Sequence, residues 1–195
     1  MKRLLPIIAA SLLVSNLSHA AATLPSYDGF NYTIGDPVGQ TPPASANGFQ
    51  WTHIATAGRS PVIGVVSGNV GYPGLATSVG SSIQATGPNR EGLRYYAGTN
   101  VTLLNNSMYY SVLFTVTDLG TLITTGKVLF TLNNTSTLNQ TTDPSTIPGR
   151  TFVRLSTTAG KFNVGFISGY ATGTATWAPQ DFSPNDTVFV VFKYV

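Results

Sequence analysis

The chain of 195 residues contains no cysteine and few charged side chains. The absence of cysteine excludes disulfide crosslinks, so the core must be held by burial alone. Lysine, arginine, aspartate and glutamate make up only 9% of the residues, against roughly 25% in ordinary soluble domains. Disorder does not explain this composition, because 42% of the residues are hydrophobic and 11% are aromatic. We therefore expect a folded chain whose polar surface consists mainly of hydroxyl and amide groups.

Helical periodicity is lacking after the first twenty residues. No stretch of about 12 residues keeps apolar side chains at helical spacing without an interrupting Gly or Pro. Alternation with a period of two, which places one face of a strand on a core, is frequent instead. The predicted inward-facing sets are Tyr110, Val112, Phe114 and Val116; Val128, Phe130 and Leu132; Val153 and Leu155; and Phe162, Val164 and Phe166.

Turn-forming residues separate these alternating segments. The turn at 158–160 predicts a short hairpin between strands over residues 150–157 and 161–167. Many strands at such spacing are typical of a sandwich or barrel, so we predict an all-β fold, an antiparallel two-sheet β-sandwich. Residues 21–90 have short apolar pieces between Gly, Pro and Ser, which predicts extended segments and loops over the sandwich. Residues 132–145 are predicted to form a long loop.

Residues 1–20 have the parts of a helical secretory signal peptide that precedes the sandwich. Lys2 and Arg3 precede an apolar run over residues 4–14, and small residues precede the predicted cleavage between Ala20 and Ala21. The run of about eleven residues is shorter than the ~20 that a membrane-spanning helix needs. We therefore expect a secreted or cell-surface protein with one domain over residues 21–195 and no transmembrane segment after cleavage.

Removal of Lys2 and Arg3 leaves eight basic and seven acidic residues. No basic run remains, so a surface that follows nucleic-acid phosphates is unsupported. The sequence therefore predicts no nucleic-acid partner.

The stretch from Val188 to Val195 is apolar at both alternating positions. That pattern suits a strand buried on both faces, and it is an aggregation hazard at a sheet edge. Three interpretations stay open: a central strand, a sequence that continues beyond Val195, or self-association through a strand given to a neighbouring subunit.

Three short motifs follow one another along the chain. They are YDGFNY at 27–32 with Gly35 and Gly39, GYPGLAT at 71–77, and an arginine followed by YYSVLF at 109–114. Their order resembles exported bacterial proteins with a laminin-G/concanavalin A-like jelly roll, over roughly residues 26–195. The resemblance implies a two-sheet antiparallel jelly-roll sandwich and, because members continue past such a last strand, a truncated chain. It implies no single activity, because this architecture serves lectins, glycosidases and structural modules.

Catalytic patterns are missing. Glycosidases with this sandwich carry two acidic residues two positions apart on one strand, and no two of the seven acids after residue 20 have that spacing. No Gly-x-Ser-x-Gly sequence is present, and His53 is the single histidine left after cleavage. A zinc site has no ligand set. Calcium held by Asp and backbone carbonyls stays open, although dense Asp-x-Asp spacing is missing. We therefore predict no enzyme, no cofactor and no catalytic residue.

Aromatic side chains can stack on sugar rings, although core packing is the more common role. The candidate ligand-binding residues are Arg94, Tyr95, Tyr96 and Trp177. The leading hypothesis is a lectin-like module that binds polysaccharide. The alternatives are a structural envelope, matrix or fibre subunit and a glycan-active enzyme with dispersed acids.

Overall fold

The structure is a computed structural model that describes residues 27–38, 40, 51–54, 63–86, 92–94, 107–120, 122–132, 147–168 and 174–194. None of these residues is helical, and none belongs to a helix long and apolar enough to cross a membrane. The paired strands are all antiparallel. The all-β prediction is therefore confirmed for this part of the chain. The predicted signal peptide with its cleavage position and residues 133–145 of the predicted long loop lie outside the described residues.

Ten strands are described. In chain order they are β1 (Thr52–Ile54), β2 (Ile63–Val66), β3 (Ser82–Ala85), β4 (Gly92–Arg94), β5 (Met108–Thr115), β6 (Lys127–Phe130), β7 (Arg150–Leu155), β8 (Phe162–Ile167), β9 (Thr176–Trp177) and β10 (Thr187–Tyr194). The strands that follow residue 107 form the two sheets that position the candidate site.

Strands β6, β7, β8 and β9 form one sheet in sequence order. The predicted hairpin between β7 and β8 is confirmed. Its turn is closed by bonds from the Lys161 amide to the Thr158 carbonyl at 3.3 Å and from the Ser156 amide to the Lys161 carbonyl at 3.0 Å. Gly160 has φ +73°, a conformation that side chains with a Cβ rarely adopt. The last position of the predicted turn therefore favours glycine, because its backbone has a positive φ.

Strands β5 and β10 form a second sheet. Every residue of the two strands is paired, from Thr115 opposite Thr187 to Met108 opposite Tyr194. The strands lie far apart in sequence, so their pairing carries a loop-closure cost that burial must offset. Alternation within each strand then presents one face to the core.

The inward faces of the two sheets share one core. Its buried members are Phe114, Val188 and Val190 from the β5–β10 sheet and Val153, Phe162 and Val164 from the four-stranded sheet. Burial of each side chain of this size contributes roughly 1.5–3 kcal/mol. The predicted inward positions that the core confirms are Val112, Phe114, Val116, Val153, Phe162, Val164 and Phe166. The arrangement is compatible with a β-sandwich.

Two predictions about strand faces are wrong. A register shift between Val128 and Phe130 breaks the alternation of β6, so Phe130 packs against the core while Val128 is 43% exposed. A β-bulge of this kind turns neighbouring side chains to different faces. Strand β10 is not buried on both faces, since Val191 is 58% exposed and Lys193 is exposed too. Self-association through this strand stays a prediction.

The described residues before β5 form two short ladders, β1 with β4 and β2 with β3. The YDGFNY segment approaches β3 closely, because the Ser81 amide donates to the Gly29 carbonyl at 3.0 Å. A Cβ on Gly80, which has φ +104°, would lie 2.0 Å from that carbonyl oxygen. Gly80 is therefore required by the contact between the two backbones.

Candidate functional site

The outer face of the four-stranded sheet carries an aromatic and polar group of side chains. Because alternate residues of a strand point to opposite faces, Phe152 and Arg154 on β7 lie opposite the core residue Val153. Asn163 on β8 pairs with Arg154 in the ladder and shares that face. We call Phe152, Arg154, Asn163, Trp177 and the neighbouring Asp181 the outer patch.

The indole ring of Trp177 packs directly on two glycines, Gly165 and Gly126. Trp177 pairs with Gly165 across β8 and β9, and a Cβ on Gly165 would lie 2.5 Å from the indole Cε3 atom. A Cβ on Gly126, which has φ +92°, would lie 2.7 Å from the Cη2 atom. Contacts this short do not occur between real side chains. The two glycines therefore allow the indole to lie across the sheet surface.

A guanidinium group packs against the indole. The Cζ atom of Arg154 lies 4.0 Å from the centre of the Trp177 ring, and the Phe152 ring meets the indole edge-on at 6.4 Å. A cation over an aromatic face is attracted by the ring quadrupole, by roughly 0.5–2 kcal/mol according to exposure. Arg154, Phe152 and Trp177 are all half-buried, so part of each side chain reaches solvent.

Asn163 connects the arginine to an aspartate. Its side chain is buried, and its Oδ1 accepts a bond from Arg154 Nη2 at 3.5 Å. Its Nδ2 donates to the Gln180 carbonyl at 3.0 Å and to Oδ1 of Asp181. These partners fix the orientation of the Asn163 amide, because its oxygen faces the Arg154 donor and its nitrogen faces two acceptors.

Asp181 accepts hydrogen bonds from three side chains. Besides Asn163, the Ser156 hydroxyl donates to Oδ1 at 2.7 Å and the Thr158 hydroxyl donates to Oδ2 at 2.6 Å. The bond from Thr158, followed by those from Ser156 and Asn163 and by the charge of Lys161, holds the pKa of Asp181 below its ordinary value. The carboxylate therefore stays ionised at neutral pH and fastens the β7–β8 turn to the segment before β10.

A second aspartate lies in the YDGFNY segment. Asp28 accepts bonds from the Phe30 amide at 2.7 Å, the Trp51 indole at 2.7 Å and the Tyr32 hydroxyl at 2.5 Å. Burial and then the bond to Asp28 raise the pKa of the Tyr32 hydroxyl. Phe30 has φ +54°, which is unusual for a residue other than Gly, and its ring lies 5.8 Å from that of Trp51. This network stabilises the YDGFNY segment and its contact with Trp51, and its polar atoms are hydrogen-bonded to one another.

Of the predicted binding residues, the structure describes the side chain of Trp177 alone. Arg94 pairs with Thr52 in the β1–β4 ladder, and its side chain lies outside the described residues, as do Tyr95 and Tyr96. His53 is placed in β1 by its backbone only. Within the described ranges, no three His, Cys, Asp or Glu residues lie close enough to hold a metal ion.

Sequence reasoning missed Arg154, Asn163 and Asp181. A signal for the first two was present, because alternation from Val153 places Arg154 outside and alternation from Val164 places Asn163 outside. No comparable signal existed for Asp181, which is brought to Asn163 by the return of the chain after β9.

Comparisons with protein-family models, with curated proteins and with solved structures found no match. The resemblance to laminin-G/concanavalin A-like proteins stays a prediction.

Proposed function

We propose that the chain is a secreted or cell-surface module without catalytic activity that binds polysaccharide through the outer patch. The module is a two-sheet jelly-roll β-sandwich in this proposal, with the core between the β5–β10 sheet and the four-stranded sheet. Export rests on the signal-peptide pattern of residues 1–20.

The contact between Arg154 and Trp177 at 4.0 Å is the observation that carries the proposal. Sugar rings present C–H groups on their faces and hydroxyl groups around their edges. A receptor therefore needs apolar aromatic area next to directional donors and acceptors. The outer patch combines the Phe152 and Trp177 rings with a guanidinium group.

Preorganisation supports the same proposal. Trp177 is confined by Gly165 and Gly126, and Arg154 is confined by the indole and by Asn163. Side chains that are ordered before binding lose little rotamer freedom when the ligand arrives. A sheet face with ordered aromatic side chains can therefore bind an extended ligand without rearrangement of its backbone.

The test is a screen of the processed chain against immobilised polysaccharides, followed by titration of the strongest binder. We expect Trp177→Ala to weaken binding by about tenfold or more, because it removes the largest apolar contact and releases Arg154. Trp177→Phe retains an aromatic ring and is expected to retain part of the affinity.

Tyr109→Ala is the matched control. Tyr109 is an aromatic residue that is 61% exposed on the outer face of the β5–β10 sheet, and its removal is expected to leave binding unchanged. Thermal unfolding of each variant separates loss of fold from loss of contact. Absence of binding to every polysaccharide, or equal weakening by Trp177→Ala and Tyr109→Ala, would contradict the proposal.

A structural subunit is the second candidate, and the outer face of the β5–β10 sheet favours it. Tyr109 and Val191 lie on this face, where they are 61% and 58% exposed. Exposed apolar side chains on a sheet face are suited to contact between subunits. Sedimentation over a wide concentration range decides between the two functions, since this alternative requires assembly and a monomer at every concentration removes it.

A further inference from the structure

We infer that the polysaccharide bound by the outer patch is anionic, with carboxylate or sulfate groups that accept hydrogen bonds from Arg154. This inference rests on the proposed function and adds the chemical class of the ligand. It follows from the charge of Arg154, which no described carboxylate pairs with directly, and from the way in which the guanidinium group is held.

The charge of Arg154 is not neutralised by a carboxylate among the described residues. Its described partners are the π face of Trp177 and the amide oxygen of Asn163, both of which are neutral. Asp181, the carboxylate of the patch, is linked to Arg154 only through Asn163, and Lys161 acts on it as a nearby positive charge. A half-buried cation without a counter-charge gains more from an anionic ligand than from a neutral one.

The position of the Arg154 guanidinium group also costs free energy of folding. Its Nε atom is buried and has no hydrogen-bond partner in the part of the chain that the structure describes. An unsatisfied buried donor destabilises the folded chain, and an uncharged residue at this position would avoid that cost. Ligand binding gives a physical reason to keep an arginine here.

Stacking on an aromatic ring suits an arginine that binds anions. The planar group can lie against Trp177 while those N–H donors of Nη1 and Nη2 that Asn163 does not use remain available in the plane to the two oxygens of a carboxylate or sulfate; the buried Nε is not among them. The exposed parts of the half-buried Phe152 and Trp177 rings provide apolar area beside the guanidinium group for the sugar ring that carries the anionic group.

The experiment compares polysaccharides that have the same sugar backbone and carry or lack anionic groups. The processed chain is titrated with polygalacturonate and with its methyl ester, and in a second arm with dextran sulfate and with dextran. We expect the anionic member of at least one pair to bind about tenfold tighter or more, and this preference to shrink as salt is added. The two arms distinguish a carboxylate from a sulfate ligand.

Arg154→Gln is expected to abolish the preference for the charged member while the variant stays folded. Arg154→Lys keeps the charge but loses the planar donors, and we expect an intermediate preference. Lys193→Gln is the matched control, because Lys193 is a cation 5.9 Å from the centre of the Tyr109 ring on the other sheet. It is expected to leave the preference unchanged.

The outcomes separate the two proposals. Equal affinity for charged and neutral members, with loss of binding in Trp177→Ala, would overturn the anionic preference and leave the proposed function intact. A preference that survives Arg154→Gln, or falls equally in Lys193→Gln, would also overturn the inference, because unspecific attraction would explain it. Absence of binding to all polysaccharides would overturn both proposals.

Discussion

The outer faces of the two sheets hold their aromatic side chains differently. On the four-stranded sheet, Trp177 lies over Gly165 with the Arg154 guanidinium 4.0 Å from its ring centre. On the β5–β10 sheet, Tyr109 is 61% exposed and the Lys193 ammonium lies 5.9 Å from its ring centre. A cation accompanies an aromatic ring on both faces, but only the first pair is confined by glycines and by a hydrogen-bonded amide.

This difference separates an ordered surface from an adaptable one. Ordered side chains favour specific recognition because less rotamer entropy is lost on binding, whereas exposed apolar side chains favour non-directional contact. The proposed ligand binding therefore rests on the first face, and the alternative of a subunit contact rests on the second.

Gly165→Ala tests the confinement of Trp177 and should have the largest effect. The new Cβ would lie 2.5–2.9 Å from three indole atoms, so the ring must move away from the sheet. We expect the free energy of unfolding to fall by roughly 1–3 kcal/mol, measured by urea denaturation. Ser111→Ala, at an exposed position of β5, should change it by less than about 0.5 kcal/mol. A similar loss of unfolding free energy in the two variants would show that the two sheet faces tolerate substitution equally.

Acid titration tests the network around Asp181. Because the folded-state pKa of Asp181 is lowered, the stability from its ionised form is present above the unfolded-state pKa of about 4 and is lost as pH falls through the folded-state value. We therefore expect thermal stability to decline less steeply below about pH 5 in Asp181→Asn than in the unaltered chain.

Thr158→Val sharpens the acid test, since it keeps the carboxylate and removes the donor that lowers the pKa most. The slope of this variant should lie between those of the unaltered chain and Asp181→Asn. An acid-dependent decline of the same steepness in all three proteins would contradict the role given to Asp181.

Val191→Thr tests the face of the β5–β10 sheet and should have the smallest effect on stability. The residue is 58% exposed, and threonine keeps the branched shape that suits a strand, so unfolding should change by less than about 0.5 kcal/mol. If the structural alternative holds, the same change should weaken concentration-dependent association in sedimentation experiments. Association of unchanged strength would exclude Val191 from the contact.

Prediction of the fold from the sequence succeeded where alternation was uninterrupted. The positions of Phe114, Val153, Phe162 and Val164 in the core follow from a period of two between clear turns. Val128 was misplaced because a β-bulge shifts the register within β6, and its composition does not announce the bulge. The exposed face of β10 was also missed. Apolar residues at both alternating positions predict burial on both faces, and this pattern carries no information on what packs against each face.

Prediction of the candidate site was less complete. Trp177 was identified from the sequence as a candidate binding residue. The two glycines on which its indole packs, Gly126 and Gly165, come from separate segments and were not predicted. The partners Arg154 and Asn163 were recoverable from alternation, while Asp181 was not. Hydrogen bonds between distant segments depend on how the chain returns to the sheet.

The sequence by itself determined the local properties: strands rather than helices over the described residues, a β7–β8 hairpin, and a core without disulfides. These follow from the period of the apolar residues, from turn chemistry and from the absence of cysteine, all of which act over short distances along the chain. Only the tertiary structure decided that β5 pairs with β10 and that Arg154 lies against Trp177 and reaches Asp181 through Asn163. Apart from the Arg154–Asn163 bond within the β7–β8 hairpin, those contacts join separate segments of the chain, where pairing is selected by the total burial and hydrogen bonding of the folded chain.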